Sequence, residues 1–501
     1  MRGPVKRPVP PYLHAYQVQD VQRMYEAQSL LNNLRMGSGK TLEALCVIQR
    51  WIDDGVVDMA VVVAPKSVLR LTWGSEIETH MPALQYTTIT GDLKPSERGS
   101  IWSDVLGEWG NDLDILLTNP AMLQSAKDHR YLQGLMGSRR VALLCDEAHM
   151  LSNTTTRLHE TWCGLRAAAH RVILMTATPV TRNPMDLYGL MNAAGYPMGS
   201  KNEFIHLCCT TQSVRVPAPQ TMKGFLIITV PTGFLPVALP WVSEIMKKRT
   251  IYRPPEELPV SLQVIDIGIE MTPVEREAYN AAANDGASGG MRAIHGMGDD
   301  DTGALDVAVD RFVNKYLGEH GAMRNILSGK VAAPKRAAKD QRVVDLLPEL
   351  TQSGGVVIYS PYRESMYRLH DVLCVEFPLW KFTLLTGRQN LQEREQAVRQ
   401  LQDDPGTVCM LMTDAGAEGL NLQGAASVIV LFDRLYIPAR EDQVIGRVYR
   451  QGQQRNCLAV RFNVLDTIDD DLLVISARRR RLMELVDSLS TPADPAVEVV
   501  R

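Results

Sequence analysis

Short apolar runs alternate with helical stretches twice along this chain, and that alternation constrains the fold more than any other feature. The first set of runs is 59–64 (MAVVVA), 114–118 (DILLT), 141–145 (VALLC) and 171–175 (RVILM). Helical stretches such as 42–53 and 155–169 lie between them. The second set is 355–359, 382–385, 408–412, 427–432 and 458–462, with helices near 364–377 and 391–403. A run with no polar alternation is a strand buried on both faces. Strands that alternate with helices make a parallel sheet covered on both sides. Two α/β blocks are therefore expected, flanking an irregular middle.

The middle differs in composition. Residues 214–240 are rich in proline and β-branched side chains, and 284–304 (NDGASGGMRAIHGMGDDDTGA) reads as a loop. A helix near 469–488 closes the chain and contains Arg478–Arg481, which face several sides of it, so some point to solvent. The expected division is 1–200 for the first lobe, 201–335 for a linker or protrusion, 336–466 for the second lobe and 467–501 for the closing helix and tail.

Composition removes several classes. With 45% hydrophobic and 22% charged residues, a wholly disordered, collagenous or coiled-coil chain is excluded. No stretch reaches the roughly 18 uncharged apolar residues of a membrane span, and the basic start has no apolar core of a secretory signal. The 8 cysteines include no CxxC pair, against a zinc ribbon or a disulfide framework, and fit a reducing, cytoplasmic setting. The net charge of −4 does not announce a nucleic-acid binder, but a basic groove can sit on a near-neutral protein.

Residues 34–44 (LRMGSGKTLEA) open a helix after an apolar stretch. Gly37 and Gly39 let backbone N–H groups close around phosphates, with Met36 and Ser38 in the same loop. Lys40 can reach the β- and γ-phosphates, and Thr41 can hold Mg²⁺. The strict phosphate-loop pattern has glycine where Leu34 stands. Residues 142–149 (ALLCDEAH) put Asp146 and Glu147 at the end of a buried strand, where an α/β sheet exposes its ligand site. Asp146 can hold Mg²⁺, and Glu147 can orient or deprotonate an attacking water. Alone, such a pair is most often a helix cap. About 105 residues behind a phosphate loop, it reads as the acidic half of an ATP hydrolase.

Together these segments resemble the superfamily-2 helicases and translocases, whose motors have two RecA-like lobes. Other segments match that family in order: 13–24, 61–77, 116–123, 174–191, 412–422 and 441–453. The resemblance implies ATP and Mg as cofactors. It implies that Gln17 reads adenine and that Arg447 and Arg450 act as arginine fingers. It places Pro65, Lys66, Thr118, Asn119, Ser360, Thr413 and Asn421 toward DNA, with Lys247, Lys248, Arg249, Lys335 and Arg336 as further basic candidates.

The segment Arg447-Val-Tyr-Arg450-Gln-Gly-Gln resembles the Swi/Snf-related branch, as do 427–443, Asn183 with the DLYGLM after it, and 247–259. That branch translocates on double-stranded DNA, usually without unwinding it, and its last helix acts as a brace. Two departures stand out: Ala177 where the branch has glycine, and Leu34 and Arg35 where it has an acidic pair. The resemblance implies a compact DNA motor of a phage or bacterial cell, in repair, recombination or replication, with no membrane contact and a protein partner left unknown. The competing readings are a strand-separating or fork-remodelling helicase with a wedge in 214–240 or 284–304, the motor subunit of a restriction or defence complex, and an ATP-gated clamp that scarcely turns over.

Overall fold

The computed structural model describes residues 13–35, 37–107, 110, 112–217, 225–253, 258–284, 336–387, 389, 391–404, 406–414, 420–435 and 437–490. The chain divides into two compact units. The first comprises 1–210, 233–255 and 482–501, and the second 211–232 and 256–481. The segment around 214–240 is thus divided between them. The loop read at 284–304 lies outside the described residues except for its first position, which ends the helix Pro273–Asn284.

In the first unit the strands are β1 (Ser29–Asn32), β2 (Met59–Val63), β3 (Tyr86–Ile89), β4 (Ile115–Thr118), β5 (Val141–Asp146) and β6 (Arg171–Met175). A two-stranded ribbon follows, β7 (Cys209–Pro217) with β8 (Phe225–Phe234), and then β9 (Thr250–Ile251) returns to the first sheet. The sheet order is β3-β4-β2-β5-β6-β1-β9, and every pairing is parallel. Strand alternation sorts β2 onto two cores: Met59, Val61 and Val63 face one, Ala60 and Val62 the other. Both faces are dry, so the sequence shows an unbroken apolar run. The helix Ile468–Ser490 contributes Leu482 and Val486 to the first of these cores.

The second unit carries β10 (Leu262–Ile269), β11 (Gly355–Tyr359), β12 (Lys381–Leu385), β13 (Thr407–Met412), β14 (Ala426–Leu431) and β15 (Cys457–Val464). They pair in parallel in the order β10-β15-β14-β11-β13-β12. Val356, Ile358, Val428 and Val430 face one core, and Val357, Tyr359, Ile429 and Leu431 the other. Ile468, Leu472 and Ile475 of the closing helix belong to the first of these. Among the described residues no helix is long and apolar enough to cross a membrane. The fold is the expected one: two tandem α/β lobes with parallel sheets.

Candidate nucleotide-binding site

Strand order fixes the site. β6 is the one strand between β5 and β1. The loop after β1 and the carboxylates after β5 therefore emerge at the same edge, roughly 10 Å apart at about 4.8 Å per strand. That edge is the carboxyl end of a parallel sheet, where α/β folds bind ligands.

The loop after β1 runs into α2 (Lys40–Asp53). Gly39 caps α2 with φ 83°, a left-handed conformation that favours glycine. A Cβ there would also stand 2.4 Å from Gln17 Nε2 and displace that amide. Arg35 O accepts from Ser38 N (3.3 Å), Ser38 Oγ (2.7 Å) and Lys40 Nζ (3.0 Å). Lys40 Nζ also donates to Leu34 O at 2.7 Å. Burial lowers the Lys40 pKa, while Glu147, Asp146 and Glu43 pull it back up. Thr41 sits half-buried in the first turn of α2. Met36 lies outside the described residues.

The two residues that replace the branch's acidic pair have separate tasks. Leu34 is buried in the core, and the Arg35 guanidinium lies 3.6 Å from Asp487 of the closing helix.

Asp146 ends β5, buried, with both oxygens engaged. Trp73 Nε1 donates to Oδ2 at 3.0 Å, and Glu147 N donates to Oδ1 at 2.9 Å. Burial and the neighbouring Glu147 raise the Asp146 pKa, while Trp73 and Lys40 hold it down. Glu147 has φ 51° and ψ 47°. A left-handed non-glycine residue stores strain of order 1–3 kcal/mol, and such strain clusters at functional sites. Its Oε2 lies 3.3 Å from His149 Nδ1. Trp73 is delivered by a π-helical turn, Leu69–Gly74, a form also concentrated at functional sites.

Gln17 lies on α1 (Ala15–Glu26), buried against the loop. Its Oε1 accepts from His14 N at 3.0 Å, and its Nε2 donates to Ser38 O at 3.4 Å. One N–H and one lone pair of the amide are left over. Beneath the loop, Glu43 is fully buried and accepts from Asn32 Nδ2 at 3.3 Å. Burial, reinforced by Asp20, pushes the Glu43 carboxyl up to about 8. Sequence reading passed over Trp73, Asn32, Glu43 and Asp20. The available signals were a tryptophan inside a segment matched to the family, and polar residues in an otherwise apolar strand and helix.

These groups make a cation and two carboxylates at a helix N-terminus, which suits a nucleotide polyphosphate. They also suit Mg²⁺. A buried carboxylate beside a second one, with a hydroxyl next to the phosphate loop, matches an ion that fills its shell with phosphate oxygens and water. Among the described residues no cluster of three or more acidic, histidine or cysteine ligands is present that could hold a metal without such help.

The other expected residues are placed as follows. Pro65 precedes the short helix Lys66–Val68, and Lys66 is exposed in an ion pair with Asp92. Thr118 is buried and donates from Oγ1 to Ile89 O at 2.9 Å. Asn119 precedes the helix Pro120–Gln124, with Oδ1 buried and unpaired. In the second unit, Ser360 is buried and donates to Asp433 Oδ2 at 2.6 Å. Thr413 is buried too, its N–H on Leu385 O at 2.9 Å and its Oγ1 unpaired. Arg450 donates to the exposed Asn421, and Arg447 Nη1 to Leu420 O at 3.4 Å. Burial lowers the Arg450 pKa.

The basic candidates also have local partners. Lys248 pairs with Glu244, Arg249 lies 4.5 Å over the Tyr196 ring, and Arg336 pairs with Glu376. Lys335 lies outside the described residues. Of the four closing-helix arginines, Arg479 is buried, Arg478 and Arg480 are half-buried and Arg481 is exposed.

Comparison with known proteins agrees with this geometry. The SNF2-related domain matches residues 16–209, and the helicase conserved C-terminal domain matches 338–452. The "DNA repair and recombination protein RAD54-like" of Danio rerio is 23% identical over 496 residues, covering 90% of this chain and 62% of that protein. The "CHD3-type chromatin-remodeling factor CHR7" of Arabidopsis thaliana is 22% identical, over 95% of this chain and 37% of the other. The "Probable ATP-dependent DNA helicase CHR12" of the same plant is 26% identical, over 94% and 41%. The chain thus spans about two fifths to three fifths of the length of these relatives. Among solved structures, the Sulfolobus solfataricus SWI2/SNF2 ATPase core in complex with dsDNA is 19% identical, with a TM-score of 0.40 over 98% of this chain and 95% of that one. With both characteristic domains present in order, one on each α/β lobe, the chain belongs to the Snf-type branch of the superfamily-2 helicases.

Proposed function

We propose that the protein is a DNA motor that couples ATP hydrolysis to translocation on double-stranded DNA, in repair, recombination or replication. The observation that carries the reading is the phosphate loop and the Asp146–Glu147 pair emerging one strand apart on a lobe with the SNF2-related signature. The relatives named for DNA repair and for DNA helicase activity lend the choice of DNA as partner.

In this reading the N–H groups of the loop and Lys40 bind the phosphates, and Gln17 receives the base. To reach a phosphate, Lys40 exchanges the carbonyls of Leu34 and Arg35 for the ligand. Thr41 and Asp146 would hold Mg²⁺, which supplies positive charge to the phosphate oxygens. Glu147 orients the attacking water. Arg447 and Arg450 of the second lobe stabilise charge in the transition state, a contribution worth about 10³–10⁵ in rate where an arginine finger acts.

DNA contacts from Pro65, Lys66, Asn119 and Asn421 would fall on phosphate and sugar, giving sequence-independent, salt-sensitive binding. The buried hydroxyls of Thr118, Ser360 and Thr413 would shape the loops that carry those contacts. Among the described elements, the two-stranded ribbon β7–β8 favours a second reading, strand separation, since a hairpin can act as a wedge.

The test is steady-state ATPase activity with no nucleic acid, single-stranded DNA, blunt duplex and RNA, with Lys40→Ala as control. Stimulation by blunt duplex and displacement of a triplex strand are expected. Stimulation by single strands or RNA alone overturns the duplex translocase. Strand displacement from forks would favour the second reading.

A further inference from the structure

Arg253, just after β9, reaches back to α1 with three hydrogen bonds. Its Nε and Nη2 donate to Asp20 Oδ2 and Oδ1 at 2.8 and 2.7 Å, and Nη2 also donates to Tyr16 O at 3.1 Å. The guanidinium lies 5.0 Å over the Tyr16 ring. Tyr16 directly precedes Gln17 and Asp20 lies three residues after it, so one arginine grips the helix turn that bears Gln17 from both sides. Asp20 is buried, and a bidentate arginine–carboxylate pair fixes angle as well as distance.

That grip matters because the Gln17 amide is oriented. Oε1 faces the His14 N–H and Nε2 faces the Ser38 carbonyl. Turning the amide over would set oxygen against oxygen and N–H against N–H. In the orientation observed, the amide offers one remaining acceptor and one remaining donor. Adenine presents a matching donor and acceptor, N6–H and N7, whereas guanine presents two acceptors, O6 and N7.

We infer that Arg253 and Asp20 are the positioning pair that sets base specificity, by holding Gln17 in the one orientation that accepts adenine and rejects guanine. The inference rests on Gln17 being the base reader proposed above. Neither Arg253 nor Asp20 touches the nucleotide; both act through the helix turn. Sequence reading assigned neither of them a role.

The test compares kcat and KM for ATP and GTP in the full chain for the parent, Gln17→Ala, Arg253→Gln, Arg253→Lys and the double variant Arg253→Gln/Asp20→Asn. The double variant leaves no unpaired carboxylate in a buried place, so it remains informative if the single variant does not fold. Expected is a rise of roughly tenfold in KM for ATP, larger than the fall in kcat, and a collapse of the ATP-over-GTP preference by about tenfold or more, the scale of one lost bidentate contact. Arg253→Lys should retain an intermediate preference. The proposal is overturned if the double variant keeps the parent's ATP-to-GTP ratio within twofold, even with lower stability or kcat, for then the clamp is structural only. If Gln17→Ala also keeps that ratio, the base-reading role itself has failed, and the inference falls with it. If Gln17→Ala collapses the ratio while the double variant does not, only the clamp has failed.

Discussion

Two half-buried or buried lysines in the two lobes invite comparison. Lys40, in the loop after β1, donates to the backbone carbonyls of Leu34 and Arg35, with Asp146 and Glu147 near enough to shift its pKa. Lys339, at the start of the helix Ala338–Leu350, donates to the Asp433 carboxylate at 2.9 Å, and Ser360 completes that carboxylate from the other side. The Lys339 and Asp433 side chains are 3% and 0% exposed. A lysine held by neutral carbonyls can leave them for an arriving anion at small cost. A lysine neutralised in the dry interior cannot leave without stranding a charge. The same kind of parallel sheet thus carries the candidate site in one lobe and a buried ion pair in the other, as expected if function resides in the site and not in the fold.

The largest effect should come from the first lysine and its carboxylate neighbour. Lys40→Ala and Glu147→Gln should each lower kcat for ATP by roughly 10³-fold, since they remove charge stabilisation and water orientation. Both variants should unfold near the parent's urea midpoint. Either one retaining more than a tenth of the parent rate would break the distinction from the side of the first lobe.

Lys339→Ala should do the reverse. Removing one partner of a buried pair costs about 3–5 kcal/mol of stability. Lys339→Met with Asp433→Asn should recover much of that loss, because no charge is left unpaired. Urea unfolding followed by circular dichroism reads both. A Lys339→Ala chain as stable as the parent would mean that the pair is no structural lock.

Glu43 separates the lobes by pH. Its folded pKa of about 8 lies above the ordinary glutamate value. The folded state therefore keeps a proton that the unfolded chain has already released, and stability falls as pH rises from about 5 through 8. Glu43→Gln should flatten the change by about 3–4 kcal/mol over that window, read from urea midpoints at each pH. An unchanged slope would show that Glu43 is ionised throughout.

Much of this was legible in the sequence because it rests on local rules. The run 171–175 coincides with β6 and 355–359 with β11, since strands buried on both faces need unbroken apolar runs. The loop and carboxylate motifs could be read because their residues are contiguous. The short edge strands β3 and β9 carry no such run: β3 is Tyr-Thr-Thr-Ile, and β9 has two residues. β10 alternates poorly and leaves Val264 and Ile265 partly exposed at a sheet edge. Contacts across long sequence separations were out of reach. Arg253 to Asp20 spans 233 residues, and Trp73 to Asp146 spans 73. Neither pairing leaves a periodic signal.

The Trp73 contact gives the smallest and most discriminating prediction. The indole N–H is one of the groups that hold the Asp146 pKa down against its burial and against Glu147. Trp73→Phe keeps most of the apolar bulk and removes that donor. The Asp146 carboxyl, already raised, should rise further, so the acid limb of the pH profile of kcat/KM should move to higher pH. Above that limb the loss should be only about tenfold, the scale of one hydrogen bond to a charged group. Overpacking or a cavity would instead lower activity equally at every pH. A displaced acid limb therefore ties the indole to the ionisation of Asp146, and a parallel drop ties it to packing alone.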